Sequence, residues 1–122
     1  MITGVHTVLY AEDADRARAF LRDVLGLAHV DAGDGWLIFA APPAELAVHP
    51  TDAATSGRHE LFLMCDDVEA TRAAVLAAGV EAGPVEDQGW GLSTRLRVPG
   101  LGDLGLYEPR HPTALGLGLD RP

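Results

Sequence analysis

Two histidines of the chain stand at the start of similar apolar segments. His6 opens the run His6–Tyr10, and His59, 53 positions later, opens the run His59–Met64. Both runs are short and rich in strand-forming residues, so we predict two strands that present equivalent imidazoles. Imidazole nitrogens that face each other across a sheet bind a divalent metal ion when a carboxylate joins them. Metal binding is therefore the first chemistry that the sequence suggests.

Polar side chains on the other predicted strands fall on the same face as the histidines. Every second side chain of a strand shares a face. This parity gathers on one face His6, Glu45, His49, His59, Ser93, Arg95 and Tyr107. The apolar side chains between them, Phe62 and Met64 included, are expected to pack on the helices. Glu45, Arg95 and Tyr107 are the candidates for catalysis, although Arg95 would equally serve as the partner of a surface acid.

The two histidine runs belong to a repeated unit. Shifted by 53 positions, Asp13 falls on Asp66 and Gly26 falls on Gly79. Acidic residues after each run can cap a helix, an amphipathic segment follows, and the glycine ends it. Strand-like segments come next, at residues 36–40 and 45–49 in the first unit and at residues 93–98 and 103–108 in the second. The unit is therefore βαβββ, and it occurs twice.

The repeat predicts the organisation of the whole chain. We expect an α+β fold of two βαβββ modules, at about residues 1–50 and 57–109, within one domain of residues 1–109. A module of this size cannot bury its sheet alone, so the two share a core, with the helices packed on the outer face of the sheet. Residues 110–122 carry Gly, Pro and isolated Leu without a period, and we expect a loose tail there.

Composition narrows the range of partners. The chain of 122 residues has 18 acidic against 9 basic residues, a formal net charge of −9. This field repels phosphate backbones, so nucleic acid is not expected, whereas a cationic small molecule would be attracted. No apolar run reaches the roughly 18 residues of a membrane span, and no secretory signal is visible. The single Cys65 cannot form an intramolecular disulfide, so a reducing cytoplasm is the default.

The doubled unit resembles the vicinal oxygen chelate superfamily, which includes glyoxalase I, extradiol dioxygenases, fosfomycin-resistance transferases and bleomycin-binding proteins. The resemblance rests on residues 5–8, 18–27 and 77–80, with Leu21 in place of an aromatic residue of the family motif, and it covers nearly all of residues 1–109. It implies a cup-shaped mixed sheet and a homodimer in which the partner often completes the cup. The superfamily hosts many reactions, so the resemblance predicts the fold better than the function.

The resemblance also implies where a metal would bind. In metal-using members the ligands come from the first strand of each half and from a last strand, which points to His6 and His59. The closing glutamate of the family falls on Gly105, which offers no ligand. Glu45, which resembles the first-half glutamate of glyoxalase I, could replace it, and so could Glu108 if a bulge in the last strand turned it to the histidine face. The expected cofactor is a divalent ion of Fe, Mn, Ni or Zn, or none.

Two functions stay open at this point. One is a metal-dependent enzyme, a lyase or isomerase or a ring-cleaving dioxygenase, whose ion acts as a Lewis acid on two neighbouring oxygens of a small substrate. The other is a metal-free binding or antibiotic-resistance protein that resembles the bleomycin-binding members, and both Gly105 and the −9 charge favour it. Aromatic side chains such as Trp36, Trp90 and Tyr107 would then line a groove for a cationic ligand.

Overall fold

The computed structural model describes residues 6–45 and 47–115. Helix α1 spans Ala14–Ala19 and continues as a π-helical turn over Phe20–Val24, and α2 spans Val68–Ala77. The strands are β1 (His29–Asp31), β2 (Leu37–Phe39), β3 (Phe62–Met64), β4 (Glu86–Asp87), β5 (Gly91–Val98) and β6 (Gly102–Pro109). No described helix is long and apolar enough to cross a membrane. The start of the first module, position 46 and the end of the predicted tail lie outside the described residues.

Local signals set both ends of the helices. The Asp13 carboxylate accepts a hydrogen bond of 3.2 Å from the amide of the third residue after it, and Asp67 does the same at 3.0 Å. Such caps satisfy amides that a helix start leaves without partners. Gly26 and Gly79 follow the helices with φ values of 67° and 83°, in the left-handed region that favours glycine. The prediction that acidic residues begin each helix and glycines end it is confirmed.

The strands form two sheets. β1 and β2 pair in an antiparallel ribbon, and the second sheet has the order β3-β6-β5-β4. Within it β3 runs parallel to β6, while β5 runs antiparallel to β6 and to β4. The predicted α+β class, with a mixed sheet in the second half, is confirmed.

The hydrophobic core lies between the helices and one face of the second sheet. Its buried members come from α1 and its π turn, from α2 and the turn that follows it, and from β5 and β6. They are Ala17, Phe20, Val68, Val75, Val80, Leu96, Val98, Leu104 and Leu106. The first helix therefore packs into the same core as the second sheet, and the opposite face of the sheet is left for a site.

Two of the predicted strands do not form. Within the described part of the chain, residues 6–10 and 47–50 belong to no strand. Val8 is 55% exposed and Val48 is 99% exposed. Strand-forming residue types favour a strand only where a neighbouring strand completes the hydrogen-bond ladder, and no described strand pairs with these segments. The prediction of strands is therefore wrong for residues 6–10, 45 and 47–49, while position 46 lies outside the described residues.

The predicted faces of β3 are also wrong. Phe62 pairs with Gly105 and Met64 with Tyr107, so they share the sheet face opposite the helices. Leu63 belongs instead to the residues packed against the core. Alternation divides a strand into two sets but does not say which set faces the core, and both sets of β3 are apolar.

Candidate functional site

The helix-free face of the second sheet carries a cluster of aromatic side chains. Phe62 of β3, Trp90 before β5 and Tyr107 of β6 meet edge to face, with ring centroids 5.1–5.9 Å apart. Edge-to-face contacts place the positive ring edge against the negative ring face, which holds the rings at fixed angles. Tyr107 is 8% exposed and Trp90 is 43% exposed. We call Phe62, Trp90 and Tyr107 the aromatic cluster; Trp90 is its member most open to solvent.

Gly105 is the reason why this cluster can form. A Cβ at Gly105 would overlap the ring of Phe62, coming within 2.7 Å of Cε1 and closer still to Cδ1. The ring therefore occupies the space that a side chain at position 105 would need. The guanidinium of Arg95, the strand partner of Gly105, lies over the other part of this ring at 5.3 Å from its centroid. Because position 105 is glycine, the Phe62 ring lies directly over the strand there, and we call this arrangement the aromatic floor.

A cleft of about 300 Å³ opens beside the aromatic cluster. Phe62 and Trp90 form its apolar wall, and the carboxylates of Glu60 and Glu86 and the guanidinium of Arg95 line it as well. This volume lies at the lower end of the range for small-molecule pockets, and the mixture of apolar wall and few polar groups is typical of them. The cleft could hold a flat ring against its wall and a charged group at its acidic rim.

At the mouth of the cleft, the Gln88 side chain forms hydrogen bonds with two other polar side chains. The Gln88 amide donates to Ser93 Oγ at 3.0 Å and to a carboxylate oxygen of Glu86 at 3.4 Å. Ser93 is buried, while Gln88 and Glu86 are exposed. These hydrogen bonds hold one carboxylate in a set direction at the rim, which reduces the entropy cost of meeting a ligand there.

A second depression lies elsewhere on the surface, beside α1. It has a volume of about 840 Å³ but is shallow and open, and charged side chains such as Glu12, Asp15 and Arg16 line it. Its lining contains no aromatic residue, so it lacks the apolar wall that drives binding of small molecules. The cleft beside the aromatic cluster is the better candidate site.

Behind the aromatic cluster, Tyr107 joins a polar group that includes the predicted residue Glu45. The Tyr107 hydroxyl lies 3.5 Å from Glu45 Oε1 and 3.1 Å from His111 Nε2. The Tyr107 hydroxyl donates to Glu45, and the Nδ1–H of His111 donates to the Pro112 carbonyl at 2.8 Å. Burial first, and then the charge of Glu45 and its hydrogen bond, raise the pKa of Tyr107, so the phenol stays protonated at neutral pH.

Residues 110–115 are held against the sheet, although the sequence predicts a loose tail there. The Arg110 amide donates to the Trp90 carbonyl at 2.9 Å, and the Ala114 amide donates to Glu45 Oε2 at 2.7 Å. The ring of His111 stacks on Tyr107, with centroids 5.9 Å apart and planes 26° apart. These contacts bring together segments that are far apart in sequence, which no local pattern reveals.

The structure does not bring the predicted metal ligands together. His6 and His59 are exposed and belong to no strand. Glu108 lies on the face of β6 that is directed at the helices. There a Glu108 carboxylate oxygen accepts a hydrogen bond of 3.1 Å from the Val68 amide at the start of α2. The Glu108 side chain therefore stabilises a helix terminus, and β6 carries it away from Gly105. The bulge that would have turned it is not seen in the paired residues 102–109.

These positions do not fit the two-histidine and glutamate metal centre that the resemblance implies. Position 105 has no side chain, and the Phe62 ring fills the space above it. Within residues 6–45 and 47–115, no three His, Cys, Asp or Glu side chains gather where they could hold a metal ion. A metal centre of that type would need at least one ligand beyond those that this chain folds together.

Of the candidates for catalysis, the structure unites two and separates the third. Tyr107 and Glu45 are in contact, whereas Arg95 lies over Phe62 in the cleft. Sequence reasoning missed His111, which lies between Pro109 and Pro112; two prolines so close restrict the backbone and are a signal that the segment has one conformation. It also placed Phe62 on the wrong face.

Cys65 does not offer a reactive thiolate. It is half-buried at the end of β3, and its thiol lies 3.5 Å from the Tyr107 carbonyl. Burial is the main reason why the pKa of the thiol is raised, so at neutral pH it remains protonated. Cys65 is a small side chain packed against the core.

Known structures share this fold. TnmS3, an antibiotic binding protein from Streptomyces sp. CB03234, is similar with a TM-score of 0.66 and 24% identity over 88% of this chain and 97% of that chain. A lactoylglutathione lyase from Agrobacterium tumefaciens is similar with a TM-score of 0.63 and 22% identity over 87% of this chain and 92% of that one. At these identities the likeness shows the fold alone. One structural neighbour is named for binding and the other for catalysis, so the fold does not choose between the two.

The sequence itself places the chain in a family. No curated protein matches it. A family model matches residues 4–97, which include both helices, the aromatic residues Phe62 and Trp90 and most of β5. Together with the repeated helix caps and the mixed second sheet, this match shows that the chain belongs to the Glyoxalase/Bleomycin resistance protein/Dioxygenase superfamily.

Proposed function

We propose that this protein binds a flat, cationic aromatic small molecule in the cleft beside the aromatic cluster, without a metal ion in the two-histidine and glutamate position. The observation that carries this proposal is the Phe62 ring above Gly105, which replaces a ligand position by an apolar wall. A site of that kind favours stacking over coordination.

The charges of the cleft support a cationic ligand. Glu60 and Glu86 outnumber Arg95, and the guanidinium of Arg95 is directed over the Phe62 ring. The formal net charge of −9 adds a long-range attraction for cations. A positive charge on the ligand would therefore be favoured both during approach and at the rim, while its rings stack on Trp90.

A titration with simple probes tests the proposal. We expect a cationic aminoacridine to change the tryptophan fluorescence saturably, to bind equally well with and without a chelator, and to bind more tightly than an anionic naphthalenesulfonate of similar ring area. Added salt should weaken the cationic probe selectively, because screening reduces its attraction to the carboxylates. Equal affinity for both probes, or loss of binding in the chelator, would contradict the proposal.

The competing proposal is the metal-dependent lyase, isomerase or dioxygenase that the resemblance implies. In its favour, the side chains of His6 and His59 are exposed at repeat-equivalent positions and are free to be ordered by a partner chain. Glu45 or Glu108 would then have to join them as the carboxylate. Loss of a bound metal ion on replacing His6 or His59 by Ala would favour this alternative.

We further propose that a second copy of the chain covers the first half. Several large apolar side chains there are exposed, namely Val8, Tyr10, Val30, Trp36 and Val48. Exposed apolar side chains in this number are typical of a protein interface, and the described residues around Val8 and Val48 belong to no helix or strand.

Sedimentation of the purified protein tests this assembly. We expect twice the mass of one chain, and a shift toward the monomer in Val48→Asp, because a carboxylate at an apolar interface loses its hydration. Leu76→Asp is the matched control: Leu76 is 42% exposed on α2, outside the first half, and its replacement should leave the mass unchanged. A monomeric wild-type protein would refute the assembly.

A further inference from the structure

Three donor atoms from two distant parts of the sequence meet at the Tyr107 hydroxyl. Glu45 Oε1, Tyr107 Oη and His111 Nε2 form a triangle with sides of 3.5 Å, 3.1 Å and 3.8 Å. Each side joins the same three atoms, so the triangle is closed. A carboxylate oxygen, a phenol oxygen and an imidazole nitrogen thus point at one common space.

The size of this triangle matches the coordination sphere of a transition-metal ion. Three points with these separations lie on a circle of radius about 2.0 Å, which follows from the sides of the triangle. Zinc binds imidazole nitrogen at about 2.0–2.1 Å and carboxylate oxygen at about 2.0–2.2 Å. An ion slightly out of the plane of the triangle would therefore touch all three donors without a movement of the backbone.

The groups behind the donors are arranged as they are around metal ligands. His111 Nδ1–H donates to the Pro112 carbonyl at 2.8 Å, which fixes the ring with Nε2 at the triangle. Glu45 Oε2 accepts from the Ala114 amide at 2.7 Å, which leaves Oε1 for the ion. Hydrogen bonds of this kind orient ligands and raise metal affinity.

We propose that Glu45, Tyr107 and His111 form a binding site for a divalent transition-metal ion such as Zn²⁺, separate from the site that His6 and His59 would form. The Glu45 side chain is 17% exposed and that of His111 is 31% exposed, so the site is sheltered but can be entered from solvent. The negative net charge favours a cation, and the carboxylate, phenol and imidazole donors suit zinc and its neighbours.

None of the three residues lines the cleft, so the inference stands independently of the proposed function. A bound ion would link residues 110–115 to the first module, because it would contact both His111 and Glu45.

Zinc binding to the untagged, chelator-stripped protein tests the site. We expect one zinc per chain after gel filtration, measured by elemental analysis, and an affinity measured by competition with a zinc-binding dye. Since the loss of an outer-shell partner alone costs about 10- to 100-fold in metal affinity, Glu45→Gln and His111→Ala should weaken binding at least tenfold. Tyr107→Phe, which keeps the ring in the aromatic cluster, should also weaken it and serves if His111→Ala fails to fold.

His49→Ala is the matched control, because His49 is likewise followed by a proline and its Nδ1 likewise meets that proline's carbonyl, at 2.6 Å, but it is exposed. We expect unchanged zinc affinity in this variant. Unchanged zinc affinity in His6→Ala and His59→Ala would also support the site of Glu45, Tyr107 and His111. Zinc lost in those two variants instead would overturn the inference together with the proposed function, whereas a wild-type protein that binds no zinc would overturn the inference alone.

Discussion

Gly105→Glu is expected to destabilise the protein by about 3 kcal/mol or more and not to create a metal centre. The new side chain would have to enter the space of the Phe62 ring, and overpacking of this kind costs about 1–3 kcal/mol. Its carboxylate would also lie on a buried strand position, where burial without a partner adds to the cost. Urea unfolding measures the change, which is a large share of the roughly 5–15 kcal/mol of a typical domain.

Two further variants separate the causes. Gly105→Ala adds only a Cβ, and because glycine weakens a strand, any loss of stability in this variant is due to the Phe62 ring. In the double variant Gly105→Glu with Phe62→Ala the ring is gone, so we expect part of the stability to return. If Gly105→Glu alone were as stable as the wild type and bound a metal ion, the ring would be mobile and the aromatic floor would not explain the missing ligand.

The sequence predicts the features whose causes are local. A carboxylate that caps a helix accepts a hydrogen bond three residues away, and a glycine that ends a helix needs only its own backbone conformation. Asp13 and Asp67, with Gly26 and Gly79, could therefore be recognised without knowledge of the fold. The buried faces of the two helices follow from their periodicity for the same reason.

The predictions that fail depend on partners that are distant in sequence. Residues 6–10 have the composition of a strand, but no neighbour among the described residues completes the hydrogen-bond ladder. The face of Phe62 is decided by Gly105 on the neighbouring strand, where the missing side chain makes room for the ring. The alternation of side chains along a single strand does not contain that information.

The candidate site is predicted in part. Glu45 and Tyr107 are chosen from the sequence and do meet, but the group that joins them, His111, lies in a segment without periodicity. Its position depends on the Ala114 amide, which reaches Glu45 across 69 positions of sequence. Contacts of this separation are a property of the folded chain, and only the restriction of the backbone by neighbouring prolines hints at them.

Trp90→Ala is expected to weaken the binding of a cationic aromatic probe by about 1–3 kcal/mol, roughly 5- to 150-fold in Kd. Trp90 is the exposed member of the aromatic cluster and lines the cleft, so it offers the ring face on which a flat ligand stacks. The expected loss is carried mainly by a faster dissociation, because the approach of the ligand depends on charge, which the substitution leaves unchanged.

The chain supplies its own control for this prediction, since its other tryptophan lies outside the site. Trp36 is 61% exposed beside β2, and the Arg18 guanidinium covers its ring at 4.7 Å. Trp36→Ala should therefore leave Kd unchanged, and Trp36→Phe makes Trp90 the sole fluorescence reporter. An equal loss of affinity in Trp36→Ala and Trp90→Ala would mean that the ligand contacts neither tryptophan, or that it lies on a surface formed by two copies of the chain. A loss in Trp36→Ala alone would move the binding site to the first half of the chain, and the role assigned to Phe62 above Gly105 would then be purely structural.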